Sequence, residues 1–191
     1  MTIYCVIDRS GSMDSCRTDT IGGFNTFLAD QDPNETININ LFDHEYIELY
    51  SGSVKDAMKM SYENFVPRGN TALYDAIGKT ILKAKDASKE ETPPVIVILT
   101  DGEENSSKEF TRKSIKKMIE ELDWKFIFLA ANQDAILTAS SLGVSQDSAL
   151  TFSTNNVETV FKCTSAAIKR SPGRTPIAFS QSERQESHKP I

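Results

Sequence analysis

Between Thr92 and Gly102 the chain reads TPPVIVILTDG, and the aliphatic residues Val95 to Leu99 run without a polar interruption. A strand wet on one face alternates apolar and polar residues. An unbroken apolar run belongs to a strand covered on both faces, hence to a parallel sheet between two helical layers. WKFIFLAA, residues 124–131, repeats the pattern. The other periodicities fit that scheme. TIYCVID (2–8) reads as a strand, and TDTIGGFNTFLAD (18–30) places Ile21, Phe24, Phe27 and Leu28 at helical spacing despite two glycines. TININLFD (36–43) and HEYIELY (44–50) follow with almost no connection and are expected to pair as an antiparallel hairpin.

Further along, a short polar helix is expected near 53–60. Helix 72–88 carries Leu73, Ala76, Ile77, Ile81, Leu82 and Ala84 on one face. Helices at 111–122, 133–142 and 156–170 and a last short strand ALTF at 149–152 complete the series. KSIKKMIEEL (113–122) reads as the wet face of a helix, and Trp124 as core. Strands alternating with helices predict an α/β fold: a doubly wound, mostly parallel six-stranded sheet with one antiparallel edge strand and helices on both faces. Residues 1–170 form this domain. Residues 171–191, with three prolines and no periodicity, are expected to be a polar, flexible C-terminal tail that Ile177 and Phe179 could anchor.

Acidic residues outnumber basic ones, 27 to 21, giving a net charge of −6 with no basic block, which argues against a nucleic-acid surface. No run reaches the about 18 apolar residues of a membrane span, and Met1 leads straight into a strand rather than a signal-peptide pattern. The three cysteines, Cys5, Cys16 and Cys163, lack C-x-x-C spacing, and Cys5 reads as a small buried hydrophobe. A reducing, cytoplasmic setting is expected.

Chemistry gathers at the strand ends. Asp8 closes the first strand and opens D-R-S-G-S, which supplies Ser10 and Ser12; Asp101 closes VIVILT; Thr71 stands where helix 72–88 starts. In a sheet of order 3-2-1-4-5-6 the first and fourth strands are neighbours where the strand order reverses, and ligands bind beyond their carboxyl ends. Asp8 and Asp101 would then lie side by side, with Ser10, Ser12 and Thr71 on adjoining loops. Two carboxylates and three hydroxyls make a poor nucleophilic machine. They suit a hard divalent cation such as Mg²⁺, whose charge the two Asp residues would cancel. Each motif alone has a plainer explanation: D-x-S-x-S as a turn or cap, Asp101-Gly102 as a turn, Thr71 as a helix cap.

Together, D-R-S-G-S after the first strand, the Thr of RGNTALYDAI and the Asp of VIVILTDGEENSS resemble the metal-ion-dependent adhesion site of von Willebrand factor A domains. The resemblance runs from residue 2 to about 170, includes the FDHEYIELY hairpin, and is greatest to small stand-alone members of bacteria and their phages; a phage protein would work in the host cytoplasm. It implies that Ser10, Ser12 and Thr71 are direct or switchable ligands of Mg²⁺, with Mn²⁺ or Ca²⁺ as substitutes, and that Asp8 and Asp101 often act through water. It also implies that a Glu or Asp of a partner protein supplies the missing oxygen. The acidic residues that build a second ion site in integrin β subunits are not evident after Ser12, and Asp14 alone does not reproduce them.

Other polar residues have competing readings. Asp75 either steadies the Thr71 loop or is a solvated helix carboxylate. Glu103 and Glu104 read as an exposed acidic turn. Arg9 and Arg68 flank the site as surface arginines or as partners for an acidic protein. His44 and His188 lack the company of zinc ligands. Three functions compete: a cation-dependent protein-binding module, a metal-dependent hydrolase or phosphotransferase in the same crevice, and a structural part of a phage or bacterial assembly. The absence of a P-loop, of a G-x-S-x-G elbow and of a nearby His weighs against the second. In the first, loops 9–17, 43–46, 67–71 and 102–108 would set specificity.

Overall fold

The computed structural model describes residues 1–87, 92–131 and 135–187. Strands β1 (Thr2–Asp8), β2 (Thr36–Phe42), β3 (Tyr46–Ser53), β4 (Val95–Thr100), β5 (Lys125–Ala131) and β6 (Ala149–Phe152) form one sheet of order β3-β2-β1-β4-β5-β6. Every pairing is parallel except β2 with β3, the hairpin expected from sequence, so β3 is the antiparallel edge strand. Helices α1 (Arg17–Ala29), α2 (Leu73–Ala87), α3 (Arg112–Glu120), α4 (Ala135–Ser141), α5 (Val157–Arg170) and α6 (Gln181–Ser187) surround it.

The unbroken apolar runs divide between two cores by strand parity, because successive side chains leave a strand on opposite faces. Ile3, Cys5 and Ile7, with Val95, Val97 and Leu99, pack under α1 and α5. Tyr4, Val6, Ile96, Ile98, Phe126 and Phe128 pack under α2, α3 and α4. The first core explains one of the awkward glycines of α1. A Cβ on Gly23 would stand 2.9 Å from the Cα of Glu158 on α5, so the bare glycine lets the two helices approach. Phe24 and Phe27 then meet Phe161 at ring-centroid distances of 5.8 and 5.6 Å.

Some sequence expectations need correction. Leu82 is 49% exposed because it lies outside the stripe formed by Leu73, Ile77, Ile81 and Ala84. The helix expected near 53–60 shrinks to a single 3-10 turn, Val54–Asp56. Beyond it the Asn25 side chain holds both the N–H and the carbonyl of Met60, at 2.8 and 2.9 Å, which draws that backbone out of a helical pattern. Trp124 is half-buried, just ahead of β5. The start expected for the fourth helix, at 133 and 134, the end of α2 at 88, and His188 lie outside the described residues.

The largest departure concerns the expected tail. Residues 171–187 lie packed along the domain, with Ile177 and Phe179 in the core of the α1 and α5 side. Ser180 and Glu183 cap α6 reciprocally: the Glu183 N–H donates to the Ser180 hydroxyl and the Ser180 N–H to the Glu183 carboxylate. Glu183 also takes both arms of the Arg170 guanidinium at 2.9 Å, which holds its carboxyl below the usual range despite partial burial. This segment covers the outer edge of β6. Arg184 donates to the carbonyls of Gln146, Asp147 and Ala149, Ser187 donates to that of Thr151, and the Phe179 N–H donates to that of Asp147.

Candidate metal centre

At the C-terminal end of the sheet β1 and β4 stop together. Ile7 is registered with Leu99, so Asp8 and Thr100 are the next facing pair. The Thr100 hydroxyl donates to Asp8 Oδ2 at 2.6 Å, and the Ser10 N–H donates to Asp8 Oδ1 at 2.7 Å, bending the chain back toward the strand end. A 3-10 helix, Gly11–Cys16, continues the turn and leads into α1. Ser12 Oγ donates to Asp101 Oδ1 at 2.6 Å, and the Ser10 and Ser12 oxygens lie 3.1 Å apart. Two hydrogen bonds, from Gly11 N–H to Gly69 O at 3.2 Å and from Arg68 N–H to Arg9 O at 2.8 Å, tie this loop to the one bearing Thr71.

Gly102 shows where the hydroxyls converge. A Cβ on it would lie 3.2 Å from Thr71 Oγ1, 3.4 Å from Ser12 Oγ and 3.9 Å from Ser10 Oγ. The structure thus brings Asp8, Ser10, Ser12, Thr71 and Asp101 to one crevice, and the small residue at 102 keeps that crevice open. Asp8, Ser10 and Thr71 are buried, while Ser12 is exposed and Asp101 half-buried. Among the described residues neither carboxylate is ion-paired with a cationic side chain. Burial pushes the Asp8 carboxyl up to about 6, against the hydrogen bonds from Thr100 and Ser10, and Asp101 adds a further upward push. Burial also raises Asp101, against the Ser12 hydroxyl. Two desolvated carboxylates and three convergent hydroxyls form an oxygen donor set that fits a hard divalent cation.

One strand away the opposite solution is found. Asp43, at the end of β2, has no solvent exposure and is paired with Arg68 at 2.9 Å. The Nε of Arg9 lies 3.0 Å from the same Asp43 oxygen, although it is not aligned for a hydrogen bond. Asp43, His44 and Glu45 bring one ligand atom each within 4.8 Å of one another, but the Arg9 and Arg68 guanidiniums already neutralise this group. Arg9 is therefore buried rather than a free surface arginine, and Arg68 is engaged with both Asp43 and Glu45.

The loop after β4 is locked to the start of α2. Thr71 N–H donates to Asn105 Oδ1 at 2.9 Å, and Asn105 N–H returns a bond to Thr71 O at 3.0 Å. Glu104 accepts from the N–H groups of Tyr74, Ser106 and Ser107 and from the Ser107 hydroxyl. Asp75 accepts from the N–H groups of Lys108, Glu109 and Phe110, which hold its carboxyl low against the effect of burial. Asp75 thus steadies the loop, and Glu104 is an organiser rather than part of an exposed turn. Thr100 and Asn105 were not singled out from sequence. The signal for Thr100 was available: pairing β1 and β4 on their last apolar residues sets it opposite Asp8. For Asn105 no local signal exists.

A sheet of this order with an oxygen-lined crevice between its first and fourth strands defines a class of ion-binding α/β domains. The family description of the von Willebrand factor type A domain matches residues 3–104, and the chain belongs to that family. Among solved structures, proximal thread matrix protein 1 from the mussel byssus, in a form with a zinc-occupied MIDAS motif, is similar at TM-score 0.67 and 15% identity over 86% of this chain and 44% of that one. The ArnB paralog VWA2 from Sulfolobus acidocaldarius gives TM-score 0.62 and 22% identity over 87% and 44%. The von Willebrand domain of the type V pili tip protein Mfa5 from Porphyromonas gingivalis gives 0.68 and 11% over 88% and 95%. The chain thus spans less than half the length of the first two. No curated protein matches in sequence. No described helix is long and apolar enough to cross a membrane.

Proposed function

We propose that this chain is a divalent-cation-dependent protein-binding module. Mg²⁺ is held by Asp8, Ser10, Ser12, Thr71 and Asp101, and a Glu or Asp side chain of a partner protein completes its coordination. The observation that supports this reading is the convergence of three hydroxyls on one point beside a buried and a half-buried carboxylate, neither ion-paired with a cationic side chain among the described residues. Removing charge from water without a counter-ion is unfavourable, and a bound +2 ion relieves that for both groups at once. Mn²⁺ or Ca²⁺ can replace Mg²⁺ in an all-oxygen site. Zinc in the MIDAS motif of the byssus protein shows that a similar fold holds a divalent ion.

Binding rather than catalysis is the reading because, among the described residues, the carboxylates hydrogen-bonded to Ser10 and Ser12 are Asp8 and Asp101, which the ion engages. The type V pili tip protein among the similar folds is consistent with attachment to a partner. Three buried free cysteines suit the reducing cytoplasm. Most of the affinity comes from the surrounding loops, since carboxylate and ion must both shed solvent. Calorimetric titration with Mg²⁺ and Mn²⁺ is expected to show one site in the wild type and none in Asp8→Ala. Partner capture from cell extract is expected to vanish in EDTA; capture undiminished by the chelator refutes the reading.

A further inference from the structure

Beside the crevice lies a second hollow of about 230 Å³, and Gly102 borders both. Tyr74, Glu103, Glu104, Arg112 and Thr138 contribute to its wall. Glu104 carries a negative charge but is saturated by its four donors. Arg112, the first residue of α3, is exposed, and its guanidinium has no hydrogen-bond or ion-pair partner among the described residues. It acts on the Tyr74 hydroxyl, which burial and Glu104 push up and Arg112 draws down, so cation and phenol share this wall. Helix polarity adds to the positive character at that position. The hollow therefore offers an unengaged cation and hydroxyl groups beside the crevice that Gly102 also borders.

We propose that this hollow is a second acid subsite, in which Arg112 binds a further Glu or Asp of the partner whose first acid reaches the cation. The inference rests on the cation-dependent reading above and specifies its partner as a segment with two spaced acidic residues. Spacing follows from Glu103. Its exposed carboxylate, on the hollow's wall one residue past Gly102, repels an acid on the crevice side of the hollow and leaves the Arg112 side for the second one. The second acid therefore comes from a few residues away, and an extended segment advances about 3.3 Å per residue. Arg112 suits the task because its planar fork matches a carboxylate in two bonds.

The test is an NMR titration of the full chain with Mg²⁺ at low salt. The probes are short alanine-based peptides carrying one Glu, or two Glu separated by two, three or four positions in either direction. At least one two-acid peptide is expected to bind about fivefold tighter than the single-acid peptide, the scale of a partly exposed ion pair. That preference is lost in Arg112→Ala, partly kept in Arg112→Lys and increased in Glu103→Gln, while EDTA abolishes all binding. A preference that survives Arg112→Ala, or no preference at any spacing, overturns the subsite and leaves single-acid, cation-dependent binding standing. If Mg²⁺ added alone shifts no resonance of the crevice residues, the cation reading fails and the subsite falls with it.

Discussion

Asp8 and Asp43 stand at the ends of adjacent strands, both without solvent exposure, and the chain treats them in opposite ways. Asp43 sits between two guanidiniums, with the Nδ1 of His44 3.2 Å from its other oxygen. Asp8 receives a hydroxyl and a backbone N–H but, among the described residues, no cation, and its neighbour Asp101 pushes its carboxyl further up. Burial is equal, so burial alone does not distinguish a structural carboxylate from a binding one. The supply of counter-charge does. Asp43 joins the hairpin to the Arg9 and Arg68 loops, and its carbonyl accepts from the Ala72 N–H beside Thr71. It fixes the frame within which Asp8 is left uncompensated.

Breaking the frame should have the largest effect. Asp43→Ala leaves Arg9 buried without its counter-charge and is expected to destabilise the fold by about 3 kcal/mol, with or without divalent ion, measured by urea unfolding. Asp8→Asn should instead leave the chelated protein as stable as the wild type at pH 7 or more so, because it removes an unpaired buried charge. An equal loss in both variants would erase the distinction between the two aspartates.

The pH profile sharpens the same contrast. Folding raises the Asp8 carboxyl to about 6 from an ordinary value near 4, so between these values the unfolded chain gives up its proton first. Stability of the chelated protein therefore falls as pH rises through this window, by on the order of 3 kcal/mol, and the penalty is constant above it. Subtracting the Asp8→Asn profile isolates the effect. With Mg²⁺ bound the sign reverses: the ion favours the ionised carboxyl, so stabilisation by Mg²⁺ grows with pH and weakens below about 6. Unfolding curves with and without Mg²⁺ at several pH values test both signs.

Two smaller effects address how the crevice is kept open and aligned. Gly102→Ala places a methyl against the Thr71 and Ser12 hydroxyls and is expected to weaken Mn²⁺ binding about tenfold, with little change in melting temperature without ion. Asn105→Ala removes one of the two Thr71–Asn105 bonds and is expected to weaken it by a factor of about three to ten. Mn²⁺ relaxation titrations separate these from Asp43→Ala, whose effect is on the fold itself.

Much of this was legible in the sequence, for physical reasons that can be named. VIVILT and KFIFLA read as strands covered on both faces, and with the hairpin and the alternation of strands and helices they pointed to the doubly wound sheet, its order and the crevice. The five oxygen-bearing residues stood at strand and helix ends, where topology alone brings them together. What escaped depended on side-chain pairing across distant segments. No periodicity announces that Arg9 turns inward to Asp43 or that Glu104 collects three backbone N–H groups. The C-terminal helix was different. Ser180-Gln-Ser-Glu183 is a reciprocal capping pattern, and prolines at 172 and 176 with polar composition concealed it.

The way α6 sits on β6 has a consequence for trimming the protein. Arg184 and Ser187 occupy with side chains the carbonyls that a further strand would otherwise engage. A chain shortened to Arg170 would offer that border bare, as a template on which other chains could add. Clumping, rather than a failure to hold Mg²⁺, is then the first symptom of cutting the molecule where its tidy repeat of strands and helices stops.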